Sequence, residues 1–579
     1  MSIATARSAG AKQSVDLVPN TVSLQSLANA VRAALSSSQG VRLVNGVVRI
    51  DFQQAAELIK MGSVDVNWGN DVQRYISNRT SSSAGEDVAI SKEIMAASAD
   101  DTRNRIDGCR LLDLLDEHQV RNVALMTIPD SPGACIFDEQ GTGKTISVVA
   151  AFDLLVERNH ADVLLVVAPK SMVGEWGAEI ARFTNDGYKV ETLDGSKAKR
   201  AESLRSGADV FVCNYETLIA IPDDIRLLCQ RTRVVLAADE SFNVKNPNAS
   251  RTAALASARE WCVRAFALCG TPAPNAAADI IAQVSLVDMG RAFQGIYLSV
   301  DPDAQRDQIR EVIESSVVYS RNLKLVVLPH LPGRTFTEVS VELSVDQKAL
   351  YETIAGELAT DLEGATDRDF AKSYSNYLAR RSALLRLCSD PGAVDPQITS
   401  PSAKLLALDG LLERWMAQGE KVVIWSFYRA TLEALEARYS HYGLVRIDGS
   451  VTVVSDRRTA VKAFQTSPET RIFLGNPAAA GAGITLHSAA VSVYESMSNQ
   501  AAHYLQSLDR THRRGQDRAV EYVALLSNGT IEWDEYERLH HKAAMQADLL
   551  GDPSSQALTR GMMLDELLAS LDALGSSQG

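Results

Sequence analysis

A chain of 579 residues is too long for a single core, and its net charge of −14 argues against nonspecific coating of nucleic acid. With 46% hydrophobic and 22% charged residues it has the balance of ordinary globular domains, which excludes a disordered or fibrous protein. The start, MSIATARSAGAKQS, lacks the apolar core of a secretory signal, runs such as VLLVVAP are too short for a bilayer, and the seven cysteines stand singly without zinc spacing, so buried thiols in a reducing, cytoplasmic and nucleoid-associated setting are expected.

Residues 1–100 read as a small α+β accessory module with a linker. In VRLVNGVVRI, Asn45-Gly46 separates two β-branched runs, the preferred signal of a two-residue hairpin. FQQAAELIK has helical spacing, and the Ser-rich NRTSSSAGEDVA has the composition of a linker. Over 101–290 short apolar runs (ACIF, DVLLVVAP, ADVFVCNY, RVVLAAD, AFALCGT) alternate with helical stretches, which predicts a parallel sheet covered on both faces. Residues 291–400 form a charged, helical insertion and linker. The alternation resumes over 401–548 with KVVIWSF, LVRIDGS, RIFLGNP, VSVYES and EYVALL, giving a second α/β lobe. The tail, 549–579, contains GMMLDELLASLDALG, with Met563, Leu567, Leu571 and Leu574 on one helical face. That face either packs on the second lobe or docks a protein partner.

Chemistry enters at CIFDEQGTGKTISVVAAF, a strand, a glycine turn and a helix start. Gly141 and Gly143 let the backbone N–H groups around Thr142 face inward, Lys144 offers a point charge to β- and γ-phosphates, and the Thr145 hydroxyl is placed for Mg²⁺. Strict phosphate-loop spacing would put glycine where this chain has Asp138. Downstream, VVLAADESFNVKN ends a strand on two acids: Asp239 to reach Mg²⁺ and Glu240 to orient or deprotonate water.

The ordered set of motifs resembles helicase superfamily two, and within it the Swi/Snf-related ATPases, from near Arg110 to near Lys542. DEQGTGKT is similar to the family's first motif, VVAPKSMVGEWGAEIARF to the next, and NYETL, DESFNVKN and LCGTPAPN follow in order. LSVDQKALYETI and LLRLCSDP resemble the helical insertion of this family, and RIDGSV, AAAGAGITLHSAA and QSLDRTHRRGQ complete the set. The resemblance implies two tandem RecA-like lobes binding ATP and Mg²⁺, with Gln119 at the adenine-reading position. It also implies Arg510 and Arg513 as arginine fingers from the second lobe, Gln506 in the nucleotide network, and hydrolysis that requires closure. Lys170, Asn275, Gly483 and Thr485 occupy the family's DNA-contact positions, whereas Arg514 and Arg518 have no such match.

Three departures stand out. Phe242 replaces a histidine, removing a polar link from the second motif to the next; Ser498-Asn499-Gln500 replaces W-N-P; and GNPAAAGAG lacks the usual Ser/Thr at its start. None touches Lys144, Asp239, Glu240 or the fingers. The expected function is therefore ATP-driven translocation on double-stranded DNA without unwinding, remodelling or displacing what is bound there. A strand-separating helicase of the same superfamily is the first alternative. A nucleotide-gated DNA-binding module with vestigial hydrolysis is the second. The insertion argues against the first, and the intact catalytic set against the second. A protein partner is expected through the N-terminal module or the tail helix.

Overall fold

The structure is a computed structural model. It describes residues 2–8, 14–37, 41–69, 72–73, 76, 84–244, 246, 249–273, 277–451, 453–480, 484–497, 501–545 and 560–576. Two compact units divide the chain, the first running to Leu323 and the second starting at Lys324.

The first unit opens with a five-stranded sheet of β1 (Ala4–Ser8), β2 (Ser14–Pro19), β3 (Arg42–Val44), β4 (Val47–Asp51) and β5 (Val66–Asn67), in the order β3-β4-β2-β1-β5. The predicted hairpin is β3–β4, and its turn uses positive φ at Asn45 (47°) and Gly46 (81°), as a primed turn requires. Val15 pairs with Ile50 and Leu17 with Val48 in register, so these four fully buried residues share one face. The predicted helix is Phe52–Met61, started by an Asp51–Gln54 capping box and stopped by Gly62 in the left-handed region. The supposed linker is shorter than its composition suggests. Ala84–Ala96 is a helix, with Asp87 and Val88 buried, that packs beside the helix Glu117–Met126.

The rest of this unit is an α/β lobe on a seven-stranded, wholly parallel sheet. Its strands are β6 (Gly133–Ile136), β7 (Val163–Ala168), β8 (Val190–Thr192), β9 (Val210–Asn214), β10 (Val234–Asp239), β11 (Arg264–Leu268) and β12 (Tyr319–Ser320), ordered β12-β6-β11-β10-β7-β9-β8. Every residue of β6, β7, β10 and β11 is buried, which is why those strands read as unbroken apolar runs.

The second unit carries the other parallel sheet: β13 (Arg334–Val341), β14 (Val422–Trp425), β15 (Leu444–Ile447), β16 (Ile472–Gly475), β17 (Val491–Tyr494) and β18 (Val520–Ser527), in the order β13-β18-β17-β14-β16-β15. Separate apolar clusters cover its faces, one around Leu408, Leu432 and Val493 and one around Trp425, Phe464 and Tyr504. Between β13 and β14 rise two long helices, Val345–Gly364 and Asp367–Ser389, the insertion expected from the sequence. Ser344 and Gln347 form the capping box of the first, and the Gln347 amide donates to the Leu387 carbonyl (3.0 Å), tying it to the second. The tail helix Arg560–Ser576 buries Met563, Leu567 and Leu574 in the same cluster as Tyr351, Leu358 and Leu384. Its apolar face is thus spent within the fold. All seven cysteines are buried, and burial pushes the thiols of Cys213 and Cys269 up to about 12. Among the described residues, no helix is long and apolar enough to cross a membrane.

Candidate active site

The chemistry-bearing residues of the first lobe gather at the C-terminal ends of β6, β11 and β10, where open parallel sheets place their ligands. β6 runs into DEQGTGKT, and the helix Lys144–Glu157 starts directly after Gly143. Gly143 has φ +88°, and a Cβ there would lie 2.2 Å from Gln119 Nε2, so the position admits only glycine. The Gln119 amide joins the start of its own helix to this loop. Its oxygen accepts from the Asp116 N–H (2.9 Å) and its nitrogen donates to the Thr142 carbonyl (2.9 Å). His118 Nε2 reaches the same carbonyl (2.8 Å), and the Thr142 hydroxyl donates to Glu139 O (2.8 Å). Lys144 folds back on its own loop, donating to the carbonyls of Asp138 (2.8 Å) and Glu139 (3.2 Å). Gly141 and Thr145 complete the turn, Thr145 half-buried at the second helical position.

Asp138, a departure in sequence, is a fully buried anchor. One carboxylate oxygen accepts from Asn122 Nδ2 (2.6 Å), the other from the Ser320 hydroxyl (2.9 Å) and from the N–H (3.0 Å) and side-chain amide (2.9 Å) of Asn322. Neutral donors thus satisfy a charge that would otherwise be costly inside the lobe.

At the end of β10, Asp239 accepts from the indole N–H of Trp176 (2.8 Å) and from the Glu240 N–H (2.9 Å), while its carbonyl accepts from the Tyr215 hydroxyl (2.6 Å). Burial raises the Asp239 pKa; the Trp176 bond and the Lys144 charge oppose that rise. Glu240 has φ 48° and accepts from Gln140 Nε2 (3.1 Å). Gln140 in turn fills the space a side chain at Gly270 would need, with Cγ 2.5 Å from a Cβ built there. Atoms other than those of Phe242 connect the second motif to the next. The Ser241 hydroxyl donates to Gln283 Oε1 (2.7 Å), and Gln283 Nε2 donates to the Pro272 carbonyl, joining the second motif to LCGTP.

In the second lobe, Arg510 closes the helix Ala501–Thr511 and is 6% exposed. Its Nε donates to the Gln506 carbonyl (2.7 Å), and its Nη1 and that of Arg513 both reach the Ile484 carbonyl (3.3 and 3.2 Å). Gln506 itself is buried. Of the DNA-contact positions, Lys170 is exposed just past β7, and Thr485 is half-buried with its carbonyl accepting from Gln465 Nε2 (2.8 Å). Asn275 and Gly483 lie outside the described residues, as does Ser498-Asn499-Gln500. Arg518 pairs with Glu420 (2.9 Å).

A Mg²⁺–nucleotide fits what is here. A lysine sits at a helix start that follows a glycine turn, a buried carboxylate held by two donors ends β10, two strands from β6, and Thr145 supplies a hydroxyl at the second helical position. The roles of Trp176, Gln140 and Asp138 were not readable beforehand, because each depends on a partner from a distant segment.

Family comparisons agree with this geometry. The SNF2-related domain matches residues 72–393, and the helicase conserved C-terminal domain matches 403–515. Chromodomain-helicase-DNA-binding protein 1-like of Mus musculus is 28% identical over 490 residues, 77% of this chain and 52% of that protein. The ISWI chromatin-remodeling complex ATPase ISW1 of Saccharomyces cerevisiae is 28% identical over 439 residues, 70% of this chain and 38% of that one. The chain thus spans about half or less of these relatives. A solved structure, the Sulfolobus solfataricus SWI2/SNF2 ATPase core in complex with dsDNA, is 19% identical, covering 79% of this chain and 97% of that one with a TM-score of 0.34. Because the SNF2-related match spans more than half of its length, the chain belongs to the SNF2-related family and carries a helicase conserved C-terminal domain.

Proposed function

We propose that the chain is an ATP-dependent translocase on double-stranded DNA that remodels or displaces DNA-bound complexes without separating strands. The observation that carries this reading is the first-lobe cluster, in which the phosphate-loop lysine and the Asp239–Glu240 pair stand at the same ends of β6 and β10, two strands of one sheet with β11 between them. The paired insertion helices favour duplex tracking over strand separation.

Thr145 and Asp239 would hold Mg²⁺, which with bound ATP supplies the charge that offsets the triphosphate. Lys144 trades its loop carbonyls for phosphate oxygens. Trp176 keeps the Asp239 carboxylate aimed and favours its ionised form. Glu240, positioned by Gln140, orients the attacking water and takes its proton. Arg510 and Arg513 offset charge developing on the transferred phosphoryl. Lys170, Asn275, Gly483 and Thr485 grip DNA phosphates, which gives affinity without sequence reading. The N-terminal module, residues 1–100, is a candidate partner surface, and the protein works in a nucleoid-associated, cytoplasmic setting.

The test is ATP turnover by wild type and Lys144→Ala, at fixed low salt, with no nucleic acid, duplex DNA, single-stranded DNA or RNA. Duplex should stimulate most, and Lys144→Ala should lose at least about 100-fold. Triplex displacement by wild type then reads movement directly. Stimulation mainly by single strands or RNA would instead support an unwinding helicase.

A further inference from the structure

The short run that ends the first unit and begins the second makes more contacts with the ATP machinery than its length suggests. β12 lies parallel to β6, and the pairing continues past both strands: Phe137 N–H donates to Ser320 O (3.0 Å) and Glu139 N–H to Asn322 O (3.0 Å). Ser320 and Asn322 supply three of the donors that hold the Asp138 carboxylate. Arg321 donates to the carbonyls of Phe137 and Gly270, spanning the ends of β6 and β11. After Leu323 the second unit starts at Lys324, which is 4% exposed. Its ammonium donates to the Asp509 carboxylate and to the His512 carbonyl (3.1 Å). Asp509 immediately precedes Arg510, and His512 immediately precedes Arg513. The His512 ring in turn donates from Nε2 to the Pro332 carbonyl (2.7 Å).

We propose that Ser320–Lys324 is a positioning segment for the ATP chemistry. Within the first lobe Asn322, acting through Asp138, sets the phosphate loop. Within the second lobe Lys324, acting through Asp509 and the His512 carbonyl, sets the turn that carries the two arginines. A purely structural reading treats each contact as satisfaction of a buried polar group. That reading predicts lost stability with no separation of kinetic parameters.

The inference rests on the ATPase reading above, and the experiment separates the two. In the full chain, kcat and KM for ATP on duplex DNA, the Kd of a fluorescent ATP analogue and Tm are measured for wild type, Asn322→Ala, Lys324→Met, Lys324→Arg and Asp509→Asn. Asn322→Ala should raise the nucleotide Kd and KM roughly tenfold and change kcat by less than about threefold. Lys324→Met should lower kcat roughly tenfold and leave the nucleotide Kd within about twofold, with most of the loss recovered in Lys324→Arg. Should Lys324→Met not fold, the near-isosteric Asp509→Asn carries the same expectation. A fall in Tm with kcat, KM and Kd all at wild-type values overturns the proposal. So does the same parameter shifting in both arms. Wild type without turnover on any nucleic acid refutes the ATPase reading instead, and the nucleotide Kd of Asn322→Ala still decides the first-lobe half.

Discussion

The bonds described for Lys144, Arg510 and Arg513 and those described for Arg381, Arg538 and Lys404 differ in acceptor. Lys144 donates to the Asp138 and Glu139 carbonyls, and Arg510 and Arg513 both reach the Ile484 carbonyl. Where the insertion and tail helices meet the second lobe, Arg381 bonds Glu535 (3.0 Å) and Glu566 (3.1 Å) and Arg538 bonds the same two acids; within the second lobe, fully buried Lys404 bonds Glu532 (2.5 Å). A cation's bond to a neutral carbonyl is itself charge-assisted, about 1.5–3 kcal/mol, but leaving it strands no buried charge, whereas breaking a buried ion pair costs about 3–5 kcal/mol. A cation resting on a carbonyl therefore exchanges it for a phosphate at small cost. One clamped by buried carboxylates holds helices together and does not let go. On the proposed function, these acceptors are expected to separate cations that act from cations that build.

Substitutions can break this separation. The largest effect is expected at Arg513→Ala, with kcat on duplex DNA falling about 10³-fold while Tm moves by no more than about 2 °C. A large fall in Tm with turnover retained would make that arginine a builder. Arg381→Ala should do the reverse, losing about 3 kcal/mol in a urea titration because Glu535 and Glu566 stay buried without it, while turnover per folded molecule stays within about twofold. Burial works to raise the Glu535 pKa, but Arg381 and Arg538 outweigh it and hold it below the ordinary range. Its contribution is accordingly present above the ordinary glutamate pKa and lost as pH falls through the depressed folded value, so acid unfolding should begin at higher pH in Arg381→Ala.

Trp176→Phe is a smaller probe of the acting side. Losing the indole bond leaves the upward push of burial on Asp239 less opposed. The acid limb of kcat/KM should move to higher pH by about one unit or less; an unmoved limb would mean that another group sets it. Arg518→Ala should do least, changing stability by no more than about 0.5 kcal/mol, because its pair with Glu420 leaves the arginine side chain 47% exposed.

The sequence was most informative where burial is complete. The five apolar runs of the first lobe are β6, β7, β9, β10 and β11, and the Asn45-Gly46 hairpin and Phe52–Met61 helix stand where turn and capping chemistry put them. Of the four edges of the two parallel sheets, only β15 was visible, in LVRIDGS. β8 and β12 are only three and two residues long, and β13 is largely exposed, so none shows an unbroken apolar run. In the site, Lys144, Asp239 and Glu240 are singled out by their own chemistry, and the fold brings them to the same ends of strands of one sheet. Residues defined by a distant partner are not so singled out, such as Trp176 on Asp239 or Asn322 on Asp138, which lie 63 and 184 positions away. Phe242 shows the same limit in reverse, since the Ser241–Gln283 bond joins positions 42 apart.

The burial of every cysteine has a practical side. With all seven thiols inside, and those of Cys213 and Cys269 pushed up to about 12, a maleimide applied to the folded chain meets little competing thiolate at neutral pH. A cysteine introduced at exposed Glu202 in the first lobe and another at exposed Ala437 in the second can carry a donor and acceptor dye against the native background. The motion of the two lobes through an ATP cycle can then be followed by fluorescence without first rebuilding the core.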